Sequence, residues 1–285
     1  GGGEANDLAL KVARAHTGRQ GIVSAVGGYH GHTGLSMAAG DAEYREPFGP
    51  NPETFSQVPF NDLDAMTAAV DRTTAAVILE PIPATLGMPM PEPGYLAGVQ
   101  AICRDLGALL VIDEVQTGLG RTGSTWLWTQ EGIEPDLMTV GKGLSGGIYP
   151  ITATLMTADV HAFFDEHPFV HISTFGGAEL GCLAALAVLD IVGAPGFDRR
   201  VREVGARFEH GFADLPFELR RRGMFMGLKF PNDGDGMTAA RDVIGAGVFA
   251  VFANNDTSVL QFLPPLVISD AEVDDLVGIV RDTLR

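Results

Sequence analysis

A carboxylate and a lysine stand where their side chains could meet a ligand. Asp113 ends the strongly apolar run 108–112, and open α/β sheets bind ligands at the carboxyl ends of such strands. A carboxylate buried there loses hydration energy unless it meets a cation or a hydrogen-bond donor. Lys142 lies between Gly141 and Gly143, and these small neighbours leave room for a bulky group at its amine. Taken alone, an aspartate that caps a helix and a lysine in an exposed turn explain the two residues equally well.

The glycines at the start of the chain favour the chemical interpretation. Gly1, Gly2 and Gly3 precede a helical pattern, and free backbone N–H groups at a helix N-terminus bind anions. A phosphate anchor, a strand-end carboxylate and an accessible lysine are together what pyridoxal phosphate requires. Asp113 would keep the pyridine nitrogen protonated, and the Lys142 amine would hold the aldehyde as a Schiff base and later move a proton.

Five motifs and one lysine follow one another along the chain: GGGEAN at 1–6, GYHG at 28–31, EPI at 80–82, DEVQTG at 113–118, Lys142, and STFGG at 173–177. With these motifs in this order, the sequence resembles over nearly its whole length the class III pyridoxal-phosphate aminotransferases, of the ornithine and 4-aminobutyrate type. Gly1 stands where the family usually has Ser or Thr. The resemblance implies an α/β protein of the type I fold, with a mostly parallel sheet in an αβα large domain and a smaller α+β C-terminal domain.

The resemblance also implies a role for each matched residue around the cofactor ring. Lys142 would be the Schiff-base lysine and would carry the proton. Asp113 would pair with the pyridine nitrogen, and Gln116 would bond the phenolic oxygen. Tyr29 would stack on one face of the ring, and Val115 would pack on the other. The cofactor would alternate between pyridoxal phosphate and pyridoxamine phosphate.

The remaining implied roles concern the phosphate and the partner subunit. Gly2 and Gly3 would bind the phosphate through the loop at the start of the chain. Thr174 would reach the phosphate that is bound by the other subunit of a homodimer, whose active sites lie at the interface.

Two positions depart from the family pattern. Many members have a glutamate shortly after EPI that pairs with an arginine just before a Pro-Pro, and this arginine binds the substrate's α-carboxylate. Here Thr85 and Gln261 stand at those positions. A neutral amide cannot reproduce a bidentate, charge-assisted contact, and losing both partners leaves no buried charge unpaired. The departure favours a diamine or another ω-amino compound, although another arginine that binds the carboxylate is an open alternative.

Strands and helices that would position these residues alternate along the chain. We expect helices over residues 4–15, 62–70, 94–105, 179–192, 199–213 and 269–284, and strands over 22–26, 75–79, 108–115, 137–140, 151–155, 223–230 and 259–262. The strands of the first part are too apolar to expose a face, which indicates a sheet covered on both sides. The sequence GAPG at 193–196 is a linker candidate, so we predict a large domain at 1–193 and a small one at 194–285.

Composition excludes several other classes of protein. The 285 residues include 19 Lys and Arg and 36 Asp and Glu, a net charge of −17 that argues against nucleic-acid binding. No apolar run approaches the roughly 20 residues of a membrane helix. Two cysteines cannot form a disulfide framework and fit a reducing compartment, so we expect a cytoplasmic protein. Because the chain starts without Met and runs directly into a helix pattern, we also expect that an N-terminal segment is missing.

Other motifs are poor matches to their functions. The GLGRTG stretch at 118–123 fits a dinucleotide fingerprint in letters only, because two carboxylates precede it and no clear helix start follows. His30 and His32 have no third ligand at a suitable spacing, so a packing or supporting role explains them better than a metal site.

We therefore predict an aminotransferase that moves an amino group from a small-molecule amine donor to a carbonyl acceptor. An aminomutase or a decarboxylating member of the family is an alternative, because the same cofactor serves those reactions and the pocket decides which bond breaks. A cofactor-binding subunit without catalytic activity is another.

Overall fold

The computed structural model describes residues 1–49 and 51–285, which form two compact units. The first unit comprises Gly1–Pro81, Pro91–Leu119 and Trp126–Ile191. The second comprises Ile82–Met90, Gly120–Thr125 and Val192–Arg285, so it includes two short segments from earlier in the chain. Separate domains at 1–193 and 194–285 stay a prediction.

A six-stranded sheet forms the centre of the first unit. Its strands are β1 (Gly21–Ala25), β2 (Phe55–Val58), β3 (Thr74–Leu79), β4 (Leu109–Asp113), β5 (Leu137–Val140) and β6 (Ala153–Met156), in the order β2-β1-β3-β4-β5-β6. The first five are parallel, and β6 runs antiparallel to β5. The predicted α/β class with a mostly parallel sheet is confirmed.

The helices of this unit are α1 (Gly2–Thr17), α2 (Gly34–Ala38), α3 (Ala42–Arg45), α4 (Leu63–Ala69), α5 (Tyr95–Leu106), α6 (Ala158–His161), α7 (Phe163–Glu166) and α8 (Glu179–Val192). Of these, α1 and α5 pack on opposite faces of the sheet. Side chains alternate across a strand, so Ala76 and Ile78 of β3 join the apolar cluster of α1, while Val77 and Leu79 join that of α5. Both clusters are buried, as the apolar strand sequences predict.

The second unit is an antiparallel sheet with helices. It contains α9 (Phe197–Gly211), β7 (Glu218–Arg222), β8 (Phe225–Lys229), α10 (Asp235–Gly245), β9 (Val251–Ala253), β10 (Asp256–Phe262) and α11 (Asp270–Thr283), with strand order β7-β8-β10-β9. Its core is rich in phenylalanine, and Phe208, Phe212 and Phe262 pack against one another at ring-centroid distances of 5.2–5.8 Å.

Some boundaries and elements differ from the sequence-based expectations. The strand expected over 108–115 ends at Asp113, where the chain turns away from the sheet. Helix α10 was not predicted, because its buried side consists mainly of small residues such as Gly236 and Ala239 and gives a weak apolar pattern. A Cβ atom at Gly236 would lie 2.5 Å from the backbone of Ser258, so the helix can approach β10 only with glycine there.

Within residues 1–49 and 51–285, no single helix has the length and hydropathy needed to span a membrane. Helices α8 and α9 reach those limits only when taken together, by length and composition alone.

Candidate active site

Two parallel strands end side by side in carboxylates. The register pairs Leu79 of β3 with Ile112 of β4, so Glu80 and Asp113 follow at the same edge of the sheet. Both side chains are buried, with relative exposures of 7% and 4%. This is the edge where open α/β sheets bind ligands.

A cavity of about 170 Å³ opens at this edge. It is lined by Gly2, Gly3, Asn6, Tyr29, His30, Gly31, Glu80, Asp113, Val115, Gln116 and Lys142. The structure therefore brings together every residue predicted for the site except Thr174. The role of each residue stays a prediction.

The carboxylate of Asp113 is held by three donors. The Asn6 side chain donates to its Oδ2 at 2.7 Å, His30 Nδ1 lies 2.9 Å from the same oxygen, and the Val115 N–H donates to Oδ1 at 3.0 Å. Asn6 is itself fixed, because it also donates to the His30 carbonyl and accepts from the Thr139 hydroxyl at 2.7 Å. The orientation of Asp113 is thus fixed by hydrogen bonds from the protein itself.

His30 is fully enclosed beside this carboxylate. Its Nδ1 lies within hydrogen-bond distance of Asp113 Oδ2, and its Nε2 has no hydrogen-bond partner among the residues that the structure describes. Burial by itself would lower the pKa of His30. The hydrogen bond to Asp113 and the negative charges of Asp113 and Glu80 outweigh burial and raise this pKa.

Lys142 begins a short 3₁₀ turn directly after β5, with a backbone φ of 43°. A positive φ is uncommon for a residue with a side chain, and such strain is concentrated at functional sites. Its Nζ contacts Gln116 Oε1. The side chain is accessible from the cavity mouth, yet the surrounding protein partly desolvates the amine, which lowers its pKa, while Glu80 and Asp113 act in the opposite direction.

The glycines at the start of α1 leave no space for side chains. A Cβ atom at Gly2 would lie 3.1 Å from Val115 Cγ1, and one at Gly3 would lie 2.8 Å from the Thr33 hydroxyl. One at Gly31, whose φ is +107°, would lie 2.4 Å from the Gly3 Cα. Backbone N–H groups at this helix start therefore line the cavity without side chains in front of them, which suits an anionic group.

These residues fit pyridoxal phosphate on the chemistry of the donor set. The cavity presents an amine for the aldehyde, a fixed carboxylate for the pyridine nitrogen and a glycine-lined helix start for the phosphate. Tyr29, with 42% exposure, and Val115 supply the apolar surfaces that a flat ring requires.

Glu114 supports the loop that follows Asp113. It is 1% exposed, and it accepts hydrogen bonds from the Thr117 hydroxyl at 2.7 Å and from the Trp128 N–H at 2.9 Å. Burial raises its pKa to about 7, although these two bonds act against the shift. Glu114 does not line the cavity and braces the chain that carries Val115 and Gln116.

Thr174 and the two positions that depart from the family pattern, Thr85 and Gln261, do not line this cavity. Thr174 is exposed in a loop before α8. In the second unit, the Thr85 carbonyl accepts the Asn255 N–H at 2.9 Å, and the buried Gln261 donates through Nε2 to the Phe252 carbonyl at 3.4 Å. The Thr85 contact joins the segment after EPI to the turn between β9 and β10, and the Gln261 contact lies within the second sheet.

Sequence reasoning assigned no site role to Asn6, Glu80 or Thr139. Asn6 and Glu80 stand inside the motifs at 1–6 and 80–82, which was the only available signal. Thr139 lies in an apolar strand without any motif. The supporting role expected for His30 agrees with its bond to Asp113, and no cluster of metal-binding side chains occurs in the described ranges 1–49 and 51–285.

A wider cleft, of about 580 Å³, lies at the amino ends of β1 and β3. It is lined by polar residues such as Arg19, Asp71 and Arg72 and includes none of the predicted site residues. Although this cleft is larger than the cavity at the other edge of the sheet, its lining gives no reason to regard it as the reactive centre.

Comparison with known proteins gives aminotransferases in each case reported below. The sequence model of the family "Aminotransferase class-III" matches residues 1–284. An uncharacterized aminotransferase of Archaeoglobus fulgidus is 49% identical over 283 residues, 96% of this chain and 66% of that protein. The acetylornithine aminotransferase of Methanothermobacter thermautotrophicus is 38% identical over 287 residues, 98% of this chain and 72% of that protein.

Among solved structures, the ornithine aminotransferase of Toxoplasma gondii superposes with a TM-score of 0.91 at 30% identity, covering 99% of this chain and 70% of that one. That structure has pyridoxal phosphate at partial occupancy at its active site. The present chain thus spans about two thirds of the length of these relatives.

A mostly parallel sheet with a lysine, a carboxylate and a helix start at one edge defines an α/β enzyme of the type I pyridoxal-phosphate fold. Within that class, the chain belongs to the class III aminotransferase family, whose members use pyridoxal phosphate. The predictions of family, fold and cofactor are confirmed.

Proposed function

We propose that this chain is the core of an enzyme that transfers an amino group from a primary amine or amino acid to an aldehyde or 2-oxo acid. The observation that carries the proposal is the single cavity in which Lys142, Asp113 and the glycine-lined helix start meet. When bound, pyridoxal phosphate supplies an aldehyde carbon for the amino group and a ring that accepts electrons.

The chain's own residues then have separate tasks. Lys142 would hold the cofactor's aldehyde through Nζ, and its free amine would take a proton from the donor carbon and return it. Asp113 would keep the pyridine nitrogen protonated and, held by Asn6 and His30, would need no reorientation. Tyr29 and Val115 would contact the two faces of the ring.

The other assignments concern oxygen atoms of the cofactor. Gln116, which contacts Lys142, would donate to the phenolic oxygen, and the N–H groups of Gly2 and Gly3 would bind the phosphate. Thr174 would bind the phosphate of a partner subunit. Its exposure outside its own cavity supports this role, and it requires a homodimer.

The proposed substrate class rests on positions 85 and 261, where Thr and Gln stand in place of the family's glutamate–arginine pair. Without an arginine at 261, the proposed preference is for a diamine or ω-amino donor over an amino acid that must be held by its α-carboxylate. Two of the relatives above are named for amino-acid substrates, so both donor types belong in the test. None of the relatives reported above is named as an aminomutase or a decarboxylase. We also propose a cytoplasmic location, on the basis of the two free cysteines.

The decisive experiment uses the small number of lysines. The chain has only Lys11, Lys142 and Lys229, so borohydride reduction with pyridoxal phosphate followed by peptide mapping can give only three tagged side chains. We expect the tag on Lys142, no tag in Lys142→Ala, and an unchanged tag in the matched control Lys229→Ala. On a separate, unreduced sample of the protein, addition of a donor amine should change the absorption spectrum of the cofactor. A tag on another lysine, or none, would overturn the proposal.

A further inference from the structure

Glu80 is the cavity residue that the mechanism above does not use. It follows β3 directly, beside Asp113 at the end of β4, and it lines the same cavity as Lys142. Its Oε1 accepts the backbone N–H of Tyr29 at 2.8 Å. A carboxylate with 7% exposure at such a place must either be neutral or be balanced by nearby donors and cations.

We propose that Glu80 is a positioning residue of this site: its carboxylate fixes the segment that carries Tyr29, and its negative charge opposes loss of the proton from Lys142. The inference rests on the proposed function, because it assumes that Lys142 reacts as a neutral amine. It assigns Glu80 no contact with substrate or cofactor.

The first part follows from the hydrogen bond. Tyr29 lies in the segment 28–31, and Gly31 of that segment packs against Gly3 at the start of α1. Accepting the Tyr29 N–H joins the segment to the sheet edge, so the aromatic ring and the glycine-lined helix start keep fixed places around one cavity. Removing the Glu80 carboxylate would take a charge-assisted hydrogen bond from the Tyr29 N–H.

The second part follows from the groups that face Glu80. These are the carboxylate of Asp113, the imidazole of His30, the amine of Lys142 and the Tyr29 N–H. Burial and the negative charge of Asp113 raise the pKa of Glu80 to about 7, although His30, the Tyr29 N–H and Lys142 act against the shift. In turn, Glu80 and Asp113 raise the pKa of Lys142, which desolvation lowers.

The ionisations of Glu80 and Lys142 are therefore linked in one enclosed space. While Glu80 is charged, the ammonium form of Lys142 is favoured, and once Glu80 binds a proton the lysine releases its own more easily. Lys142 therefore becomes a neutral amine at a lower pH than it would if Glu80 and Asp113 both stayed ionised.

The test of the electrostatic part needs neither cofactor nor turnover. Acetic anhydride acylates only neutral amines, so the extent of labelling against pH, read by peptide mass spectrometry on the apoprotein, gives the ionisation midpoint of each lysine. We expect Glu80→Gln to lower the Lys142 midpoint by about one pH unit, because one opposite charge is removed. Lys11 and Lys229 serve as internal references and should not shift.

Glu114→Gln is the matched control. It removes another buried carboxyl of similarly raised pKa that does not line the cavity, so it should leave the Lys142 midpoint as in the wild type. An unshifted midpoint in Glu80→Gln, or an equal shift in both variants, would overturn the electrostatic part.

The positioning part is tested with Glu80→Ala. Glutamine keeps an oxygen that can accept the Tyr29 N–H and alanine does not, so pyridoxal phosphate should bind Glu80→Ala about tenfold more weakly than Glu80→Gln. Equal affinities would refute this part. Borohydride tagging of the wild type separates the two proposals: a tag on Lys142 together with an unshifted Glu80→Gln midpoint rejects the inference and leaves the proposed function intact.

Discussion

At the scale of single residues, the amide of Asn6 links three buried polar groups. It is 1% exposed and contacts the Thr139 hydroxyl, the His30 carbonyl and the Asp113 carboxylate. Removing it leaves buried polar atoms unsatisfied, which costs about 1–3 kcal/mol. We therefore predict that Asn6→Ala lowers the free energy of unfolding of the apoprotein by that amount, as measured by urea denaturation.

The control for this prediction is a double-mutant cycle. Thr139→Val removes only the hydroxyl that donates to Asn6, so its effect and that of Asn6→Ala should be non-additive by about 1 kcal/mol. Additive effects would show that the amide does not stabilise the fold through this chain of hydrogen bonds.

Glu114 makes stability depend on pH in a defined direction. The unfolded chain releases this proton near the ordinary pKa of 4.5, and the folded chain releases it only near 7, because the carboxyl is buried. Folding therefore favours the protonated carboxyl. The contribution of Glu114 to the free energy of unfolding is complete below pH 4.5 and is lost as the pH rises through 7. The loss is about 3 kcal/mol at most. We predict that Glu114→Gln removes this part of the decrease in unfolding free energy between pH 4.5 and 7.5.

Urea denaturation at several pH values checks the effect of Glu114. Glu80 has a raised pKa in the same range, so some decrease should persist in Glu114→Gln. Glu92→Gln, an exposed carboxyl, is the control and should follow the wild type. A Glu114→Gln curve parallel to that of the wild type would contradict the prediction.

The sequence predicts the residues that would touch the cofactor better than those that support them. Lys142, Asp113 and the initial glycines stand out because their types and places after strands or before a helix imply chemistry. Thr139 and Asn6 act through contacts between residues far apart in the chain, and the periodicity of a strand or helix contains no information about such contacts. The hydrogen bond between Tyr29 and Glu80 is unpredictable for the same reason.

At the scale of elements, the start of α1 and the segment 28–31 approach so closely that only glycines fit. Gly31 has a φ of +107°, and a Cβ atom there would lie 2.4 Å from the Gly3 Cα. We predict that Gly31→Ala lowers the free energy of unfolding by about 2 kcal/mol or more and abolishes pyridoxal phosphate binding, because the helix start must move away.

Gly18→Ala is the matched control for the packing effect. Gly18 also has a positive φ, of +67°, but no atom lies within 4 Å of its added Cβ. Only backbone strain of about 1 kcal/mol should result, with cofactor binding unchanged. If both variants lose stability equally and both bind the cofactor, close packing at Gly31 is not required.

The elements themselves were predictable where apolar residues repeat in a clear period. Helix α8 matches the expected 179–192, and β3 and β5 lie within one residue of the expected strands. Short elements such as α3 and β9 have too few residues to show an apolar period. The apolar period of α10 is weak because the residues on its buried side are small. Their formation depends on tertiary packing more than on local sequence.

At the scale of the whole molecule, apolar side chains form an exposed surface on α8 and the loop before it. On α8, Leu180, Leu183 and Leu186 are 58–65% exposed, and Phe175 in the preceding loop is 82% exposed. Large apolar patches of this kind mark interaction sites in monomers. A second copy of the chain is the occupant we propose, since the neighbouring Thr174 would then reach the partner's phosphate.

We predict that Leu183→Glu converts a dimer into the 30.1 kDa monomer in sedimentation equilibrium, because a charge cannot be desolvated at such an interface. Val267→Glu is the control, since Val267 is similarly exposed, at 74%, but lies in the second unit and outside this surface. A wild-type chain that sediments as a monomer and still binds pyridoxal phosphate fully would contradict the proposed interface.

A mixture of two inactive variants tests whether Thr174 acts across that interface. Lys142→Ala lacks the reactive amine, and Thr174→Ala lacks the phosphate contact. In a heterodimer of these two chains, one site would combine the Lys142 of one subunit with the Thr174 of the other and would be complete. Co-expression should therefore restore about a quarter of the wild-type number of sites that borohydride can tag at low cofactor concentration, since half the dimers are mixed and each has one intact site. If Thr174 served its own subunit, every site in the mixture would lack one of the two groups, and no recovery beyond the Thr174→Ala protein alone would occur.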